Sequence, residues 1–411
     1  MNNYAIFILA AMIVAYTLDV ITGILNVRAL KPELPKEFDG VYDAEKYRKS
    51  QEYTRVSSKF GLFVSTVNLI ITLIFWFAGG FTVVDSYVSS LSLNPILSGL
   101  LFIGLLVIAN SIISFPFGIY STFVIEERFG FNKTTVRTFI LDKLKGIGLG
   151  LVLGVPVLAG ILWFFEVSGS LAWLYCWIAI TLFTLIIQYI APTWIMPLFN
   201  KFTPLEDGEL RSTLLNYAEK VNFPLQGIYV IDGSKRSARS NAYFTGFGKN
   251  KRIALYDTLI NNHTIEELTA VLAHEVGHYK RKHIFQSIAL SIVQSGVMFY
   301  LLSLFLNNRE LCSAFYIEKP SIYASLVFFM MLYAPVSTLI GLAMNMFSRK
   351  NEYEADYFAA ETTGKPESMI ATLKKLSADN LSNLTPHPLY VFLNYSHPTA
   401  IQRITALRNS A

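Results

Sequence analysis

Residues Val271–His278 read Val-Leu-Ala-His-Glu-Val-Gly-His and contain the pattern His-Glu-x-x-His. Residues four apart lie on one face of an α-helix, so His274 and His278 can direct two imidazoles at a single Zn²⁺ ion. Glu275 stands beside them, where its carboxylate can serve as general base for a water at the metal. The pattern therefore predicts the chemistry of a metalloprotease.

The residues before the histidines carry the signals of an α-helix. Thr264 and Glu267 have the spacing of a capping box, which marks the amino terminus of a helix. Apolar residues then recur at helical spacing, at Ile265, Leu268, Val271, Leu272 and Val276. We therefore expect one helix to begin after Thr264 and to run through both histidines.

The composition is typical of a membrane protein. Of the 411 residues, 53% are hydrophobic and only 15% are charged, which is less charge than soluble domains carry. Apolar stretches that can each cross a hydrocarbon core of roughly 30 Å lie at about 4–26, 57–79, 94–118, 146–165, 171–198, 285–306 and 320–347. We therefore predict an all-α polytopic membrane protein with seven transmembrane helices, of which the first is a retained span and not a cleaved signal peptide.

The basic residues alternate between the loops. Lys and Arg are abundant after the first, third and fifth spans, whereas 80–94 and 166–170 contain none. The positive-inside rule then places the amino terminus outside and the carboxyl terminus in the cytosol. The His-Glu-x-x-His stretch precedes the sixth span on the cytosolic face, so we expect a third metal ligand from the segment that returns to this face after the seventh span.

The sequence favours a division into a membrane domain, 1–199, and a zinc metallopeptidase domain, 200–411, that includes spans six and seven. The second has a zincin-like α+β pattern, with a helix at 207–221, a β-type run at 227–233, and two strands at 241–248 and 251–256 joined by Gly-Lys-Asn. A hairpin beside a zinc helix offers an edge that an extended peptide can join as an added strand. A hairpin that only packs the site is the alternative, and the two are compatible.

Two acidic residues follow the seventh span at helical spacing. Glu352 and Asp356 share a face, and catalytic zinc takes three protein ligands with one open position. Either can ligate zinc while the other accepts the second N–H of a ligating histidine. A solvated acidic helix start is the alternative. Glu354 points elsewhere, and His283 lies off the zinc face, so we expect a surface or interfacial role for His283.

Taken together, these motifs resemble the type I CAAX prenyl protease family, which consists of multi-span zinc metalloendopeptidases. The match extends over most of the chain, and the motifs that carry it are His274–His278, Glu352–Asp356, Glu126–Thr135, Asp232–Ser237, Ser240–Phe244 and Tyr395–Pro398. One departure is Thr399, where the family usually has a second proline. This departure concerns local backbone shape more than chemistry.

The resemblance implies a role for each matching residue. Glu352 would be the third zinc ligand, and Asp356 would hold a zinc-binding histidine. His397 and Arg403 would lie near the site and stabilise the oxyanion. The substrate backbone would be bound by Asn241, Ala242, Tyr243 and Phe244. The implied fold is a ring of seven helices around a large water-filled intramembrane chamber, with the protease site at its cytosolic end.

The resemblance also implies a substrate class. Eukaryotic members cut after the cysteine of a prenylated C-terminal CAAX sequence, whereas in a bacterial host misfolded or translocation-blocked membrane proteins without prenyl groups are the alternative substrates. We expect a monomer with one zinc per chain that acts on a peptide or protein, with or without a lipid group. It would lie in the bilayer of the bacterial inner membrane or of the endoplasmic reticulum, and it would bind no nucleic acid.

Two other classes of function are weaker. Proteases that cut transmembrane helices bury this motif inside a hydrophobic span, but here Lys280, Arg281 and Lys282 follow it directly. A purely non-enzymatic role, as a membrane chaperone or a partner that clears blocked translocation channels, does not need an intact set of metal ligands. Both observations favour a protease at a membrane surface.

Overall fold

The chain is described here as a computed structural model that covers residues 1–245 and 251–410. The expected Gly-Lys-Asn turn at 248–250 lies outside the described residues. The helices, in chain order, are α1 (Asn3–Arg28), α2 (Ala44–Phe77), α3 (Gly80–Ser90), α4 (Pro95–Tyr120), α5 (Val136–Leu149), α6 (Val155–Val167), α7 (Ala172–Ile190), α8 (Glu209–Lys220), α9 (Asp257–Asn262), α10 (Ile265–Lys280), α11 (His283–Phe305), α12 (Arg309–Ser313), α13 (Ile322–Thr363), α14 (Pro366–Asp379), α15 (Pro388–Asn394) and α16 (Ala400–Ser410). The strands are β1 (Phe202–Pro204), β2 (Leu225–Ile231), β3 (Ala242–Thr245) and β4 (Lys251–Tyr256).

Within the described part of the chain, seven helical segments are long and apolar enough to cross a membrane, which confirms the predicted number. They are Asn3–Arg28, Ala44–Phe77, Pro95–Glu126, Val136–Val167, Gly169–Leu198, His283–Phe305 and Ile322–Thr363. Three of them continue through a π-helical turn, at Ser121–Glu126, Gly150–Gly154 and Ala191–Ile195. Their outer faces expose large apolar side chains such as Ile112 and Val152, as a lipid-facing surface requires.

Two of these helices extend beyond their apolar stretches. The second begins at Ala44 because the Asp43 carboxylate caps it by accepting a hydrogen bond from the Lys46 amide at 2.7 Å. The last, α13, has 42 residues and is about 60 Å long at 1.5 Å per residue. The seventh span and the predicted acid-bearing helix are therefore one continuous helix, and Glu352 lies in its carboxyl-terminal part.

The membrane helices from both halves of the chain share one hydrophobic core. Trp76 donates a hydrogen bond to the Ala314 carbonyl at 2.8 Å, and the Phe315 ring stacks on Phe328 at 3.9 Å between centroids. Along the spans themselves, only 6–17% of each apolar window is buried inside the protein. This low burial is what a hollow ring of helices would show, and the chamber itself stays a prediction.

A four-stranded sheet lies beside α10 in the order β1-β2-β4-β3. The strands β3 and β4 pair antiparallel, with Ala242 opposite Leu255, as the hairpin prediction requires. The strand β2 pairs with β1 antiparallel and with β4 in parallel. Apolar residues of α8, α10 and the sheet form a second core that includes Leu214, Ile253 and Leu272. The sheet therefore leaves β3 at its edge, next to α10.

Candidate active site

The amino terminus of α10 fixes the helix that carries the two histidines. The Thr264 hydroxyl accepts from the Glu267 amide at 3.3 Å, and the Glu267 carboxylate accepts from the Thr264 amide at 2.9 Å, which completes the predicted capping box. Lys375 of α14 holds the same carboxylate at 2.8 Å. One turn apart on this helix, His274 and His278 bring their Nε2 atoms within 3.1 Å of each other.

The helices α10 and α13 approach closely at a glycine. A Cβ atom at Gly277 would lie 3.0 Å from the Cα and carbonyl oxygen of Ala355, so only glycine fits without displacing α13. This contact brings the Glu352 carboxylate to the two histidines. Its oxygens lie 3.5 Å from His274 Nε2 and 3.3 Å from His278 Nε2.

These three side chains have the spacing of a zinc site. One ligand atom from each of His274, His278 and Glu352 lies within 4.8 Å of the others. Ligands about 2.0–2.1 Å from a tetrahedral zinc ion are about 3.3 Å from one another, which matches the separations of 3.1–3.5 Å. The Oε2 atom of Glu352 is buried and accepts no hydrogen bond within the described residues, although Arg403 Nη1 lies 3.1 Å away. The donor set therefore fits a metal ion.

Asp356 lies directly behind His274. Its Oδ1 atom is 2.9 Å from His274 Nδ1, and Arg403 Nε donates to its Oδ2 at 2.7 Å. Burial alone lowers the pKa of His274, but the hydrogen bonds to Asp356 and Glu352 outweigh it and raise the pKa to about 9. Asp356 thus orients the imidazole with Nε2 toward the ligand cluster, and the two carboxylates attract a positive charge to it.

His283 supports the second histidine, contrary to the surface or interfacial role expected for it. It is buried, its Nδ1 lies 3.0 Å from His278 Nδ1, and its Nε2 lies 3.2 Å from the Glu354 carboxylate. The expectation was wrong because it assumed one continuous helix from His278 to His283, whereas the helix is interrupted between these residues. The helix α10 ends at Lys280, and Lys282 adopts a left-handed φ of 61° from which α11 turns back toward the site.

Glu275 lies between the two histidines in the sequence and is half-buried. Burial raises the pKa of its carboxyl group, with the like charge of Glu352 adding to the effect. Its position next to His274 on α10 is the one that the motif predicts for a general base.

The segment before α16 and the first turn of α16 bring two further side chains to Glu352. His397 Nε2 lies 3.3 Å from Glu352 Oε1, its ring is oriented by the Ser396 hydroxyl at 2.9 Å from Nδ1, and its side chain is 61% exposed. Arg403 is buried between Glu352 and Asp356. An exposed imidazole and a fixed guanidinium beside the ligand cluster can donate hydrogen bonds to a substrate oxygen.

The four residues expected to bind the substrate backbone form the edge strand and the residue before it. Phe244 packs against Phe223 and Tyr279, while Tyr243 lies on the other face against Tyr256. The Asn241 carbonyl and the strand β3 pair with β4 on one side only. The rings of Tyr243 and Phe244 are therefore occupied with packing, while Asn241 is exposed and its Oδ1 accepts from the Ala242 amide at 2.9 Å. The backbone of the free edge is the part of the strand available to a peptide.

Comparisons with known proteins cover both halves of the chain. A family model described as CAAX prenyl protease N-terminal, five membrane helices, matches residues 24–201, and a model described as Peptidase family M48 matches residues 204–411. The chain is 37% identical to the CAAX prenyl protease 1 homolog of Oryza sativa subsp. japonica, over 98% of this chain and 97% of that protein.

Further relatives match over similar lengths. CAAX prenyl protease 1 of Saccharomyces cerevisiae is 36% identical over 91% of this chain and 88% of its own length. The CAAX prenyl protease 1 homolog of Homo sapiens is 30% identical over 91% and 88%. The crystal structure of S. mikatae Ste24p superimposes with a TM-score of 0.93 at 33% identity and covers 99% of both chains.

Proposed function

This chain belongs to peptidase family M48, and on that premise we propose how its site binds zinc, which substrate it cleaves and on which membrane face it acts. The chain is a multi-pass membrane metalloprotease of the CAAX-processing type. The observation that carries the proposal is the ligand cluster, in which His274, His278 and Glu352 have tetrahedral separations. We assign these three residues to one zinc ion per chain, with the fourth position open to water.

The residues around the cluster have separate tasks in peptide hydrolysis. When bound, zinc supplies an acidified water and polarises the scissile carbonyl. Glu275 accepts the proton of the attacking water and returns it to the leaving amine. His397 and Arg403 donate hydrogen bonds to the oxygen of the scissile carbonyl as negative charge develops there. Asp356 is a positioning residue that holds His274 and Arg403 in place.

The substrate that the relatives' names indicate is a prenylated protein with a C-terminal CAAX sequence. We propose that this chain removes the last three residues of such a protein, whose peptide lies along the free edge of β3. The basic residues Lys280, Arg281 and Lys282 are exposed at the end of α10 and directly before the sixth apolar helix, α11. They support a site at the cytosolic membrane surface, in the endoplasmic reticulum or the bacterial inner membrane according to the host, and we take the working unit to be a monomer.

Cleavage of matched peptides tests this proposal. A quenched CAAX peptide would be offered with and without a farnesyl group to detergent-purified protein, before and after zinc removal by a chelator. We expect chelator-sensitive cleavage of the farnesylated peptide with a higher kcat/KM than that of the bare peptide. Equal cleavage of both peptides would favour the alternative substrates, which are misfolded or translocation-blocked membrane proteins without prenyl groups. Cleavage that survives complete zinc removal would refute the assignment of the site.

A further inference from the structure

A cavity opens beside His397 and Arg403 of the candidate site. It has a volume of about 600 Å³ and is lined by His397 and Arg403 of the site as well as by residues of α1, α2, α14 and α15. Its wall contains Ser, Thr, Asn and Tyr side chains beside several leucines, and no Asp or Glu is among the described residues that line it. The hydroxyl of Ser57 is buried in this wall without a hydrogen-bond partner within the described chain. Such a cavity suits a polar ligand with negative charge.

Arg239 is the other cation in the wall, and part of its guanidinium is free. Its Nη2 atom donates to both oxygens of Glu126 at 3.0 Å and to the Tyr53 hydroxyl, and its Cζ atom lies 4.2 Å from the Phe131 ring centroid. Among the described residues, Nε and Nη1 have no hydrogen-bond partner. These contacts fix the orientation of the group and leave three N–H donors for a ligand.

The cavity lies at the amino end of β3, the strand proposed to pair with the substrate. Ser240, the residue after Arg239, is clamped by Asn380, which accepts from its amide at 3.2 Å and donates to its carbonyl at 3.3 Å. Asn380 also lines the cavity. A peptide that pairs antiparallel with β3 therefore runs toward this end, and its carboxyl terminus enters the cavity. Three residues beyond the cleaved bond reach about 10 Å in extended form.

We propose that Arg239 binds the free α-carboxylate of the substrate's last residue and so makes the enzyme prefer peptides that end three residues after the cleaved bond. The inference rests on the proposed function, since it concerns the tripeptide that this function removes. Arg403 lines the same cavity, but the proposed function assigns it to the scissile carbonyl oxygen, and all three of its guanidinium nitrogens already face Asp356 or Glu352, whereas Arg239 uses only Nη2. Arg239 is then the arginine that can hold the terminal carboxylate by charge-assisted hydrogen bonds.

Two farnesylated CAAX peptides that differ only at the C-terminus, a free acid and an amide, test the inference in the full-length enzyme. The wild type should cleave the acid with a kcat/KM roughly tenfold or more above that of the amide, the expected worth of a charge-assisted hydrogen bond. In Arg239→Gln this ratio should fall to about one, mainly through KM for the acid. Arg128→Gln is the matched control, because Arg128 is an exposed arginine nearby that does not line this cavity, and it should keep the wild-type ratio.

The amide peptide serves as an internal reference for folding. If Arg239→Gln lowers cleavage of both peptides equally, the residue has only a structural role and the inference is wrong. A wild-type ratio near one would also overturn it, while leaving the proposed function intact. If the wild type cleaves neither peptide, the proposed function fails first and the inference falls with it.

Discussion

At the scale of single residues, the contacts behind the metal ligands decide how firmly zinc is held. Asp356 accepts from His274 and from Arg403 in a buried position. Replacement of such a carboxylate typically lowers metal affinity 10- to 100-fold, so we expect Asp356→Asn to weaken zinc binding by about that factor. Competition with a chromogenic chelator measures the affinity.

The control for this variant is Glu361→Gln, on the same helix but exposed and nine residues after Glu352. It should bind zinc as the wild type does. An unchanged affinity in Asp356→Asn would show that the orientation of His274 does not depend on this carboxylate.

His283 gives a second prediction at this scale. Its ring lies against the Nδ1 side of His278 and is itself held by Glu354. We expect His283→Ala to lower zinc affinity roughly tenfold, because His278 loses the side chain that orients its ring. His387→Ala, which removes a histidine that only caps α15, should leave the affinity unchanged. Equal affinities in both variants would argue against a supporting role for His283.

The spacing of residues in the sequence predicts some of these site residues and not others. His274, Glu275 and His278 follow from one helical motif, and Glu352 and Asp356 from a second. Spacing alone could not rank the two acids, because they share a face, whereas the packing of α10 on α13 separates their positions. His283 was missed because its place depends on the turn between two helices, which a helical period does not describe.

At the scale of secondary-structure elements, the contact of α10 with α13 is the critical one. Gly277→Ala would place a methyl group 3.0 Å from the backbone of Ala355, which must then move together with Glu352. Overpacking of this kind costs about 1–3 kcal/mol, and we expect a lower unfolding temperature together with loss of bound zinc. Thermal unfolding in detergent and zinc analysis measure the two effects.

The matched control lies on α13 itself. A Cβ at Gly341 meets nothing within 4 Å, so Gly341→Ala should leave zinc bound and should not lower the unfolding temperature. A Gly277→Ala protein with full zinc content and wild-type stability would contradict the close packing of the two helices.

Most elements could be predicted, but their continuity and pairing could not. Hydropathy identifies where a helix is apolar and not where it ends, so α13 was expected as two separate segments. The strands β2, β3 and β4 follow from alternation and turn residues. The three-residue β1 and the parallel pairing of β2 with β4 depend on long-range contacts that no local pattern contains.

At the scale of the whole molecule, the loop after the first span is tied to the C-terminal helices. Glu37 binds Lys374 of α14 at 2.7 Å and Arg408 of α16 at 2.7 and 2.8 Å. Burial alone raises the pKa of Glu37, but the two cations outweigh it and lower the pKa below its usual 4.5. A lowered pKa means that the stabilisation is present above this usual value and is lost as the pH falls through the folded-state pKa.

We therefore expect Glu37→Gln to lower the unfolding temperature at pH 7, and we expect the difference from the wild type to shrink as the pH falls below 4.5. The effect should be at most about 1 kcal/mol, since the side chains are partly exposed. Thermal unfolding at several pH values measures it, with Glu33→Gln as a control outside the cluster. A gap that stays constant with pH would show that ionisation of Glu37 is not its cause.

The number of spans follows from the apolar stretches of the sequence, because any helix that crosses a bilayer core must be long and apolar. The arrangement of the spans does not follow from composition, since an apolar helix face can pack against another helix or face lipid. The position of α16, which carries Arg403 into the site, likewise depends on contacts between distant segments such as that of Arg408 with Glu37.

The central claim is that one zinc ion, held by His274, His278 and Glu352, serves a hydrolysis for which Glu275 is the base. Zinc content and cleavage of a farnesylated CAAX peptide, measured together on the wild type and on Glu275→Gln, test it most directly. The account predicts one zinc per chain in both proteins and turnover in the wild type alone. Absence of zinc from the wild type, or normal cleavage by Glu275→Gln, would contradict it.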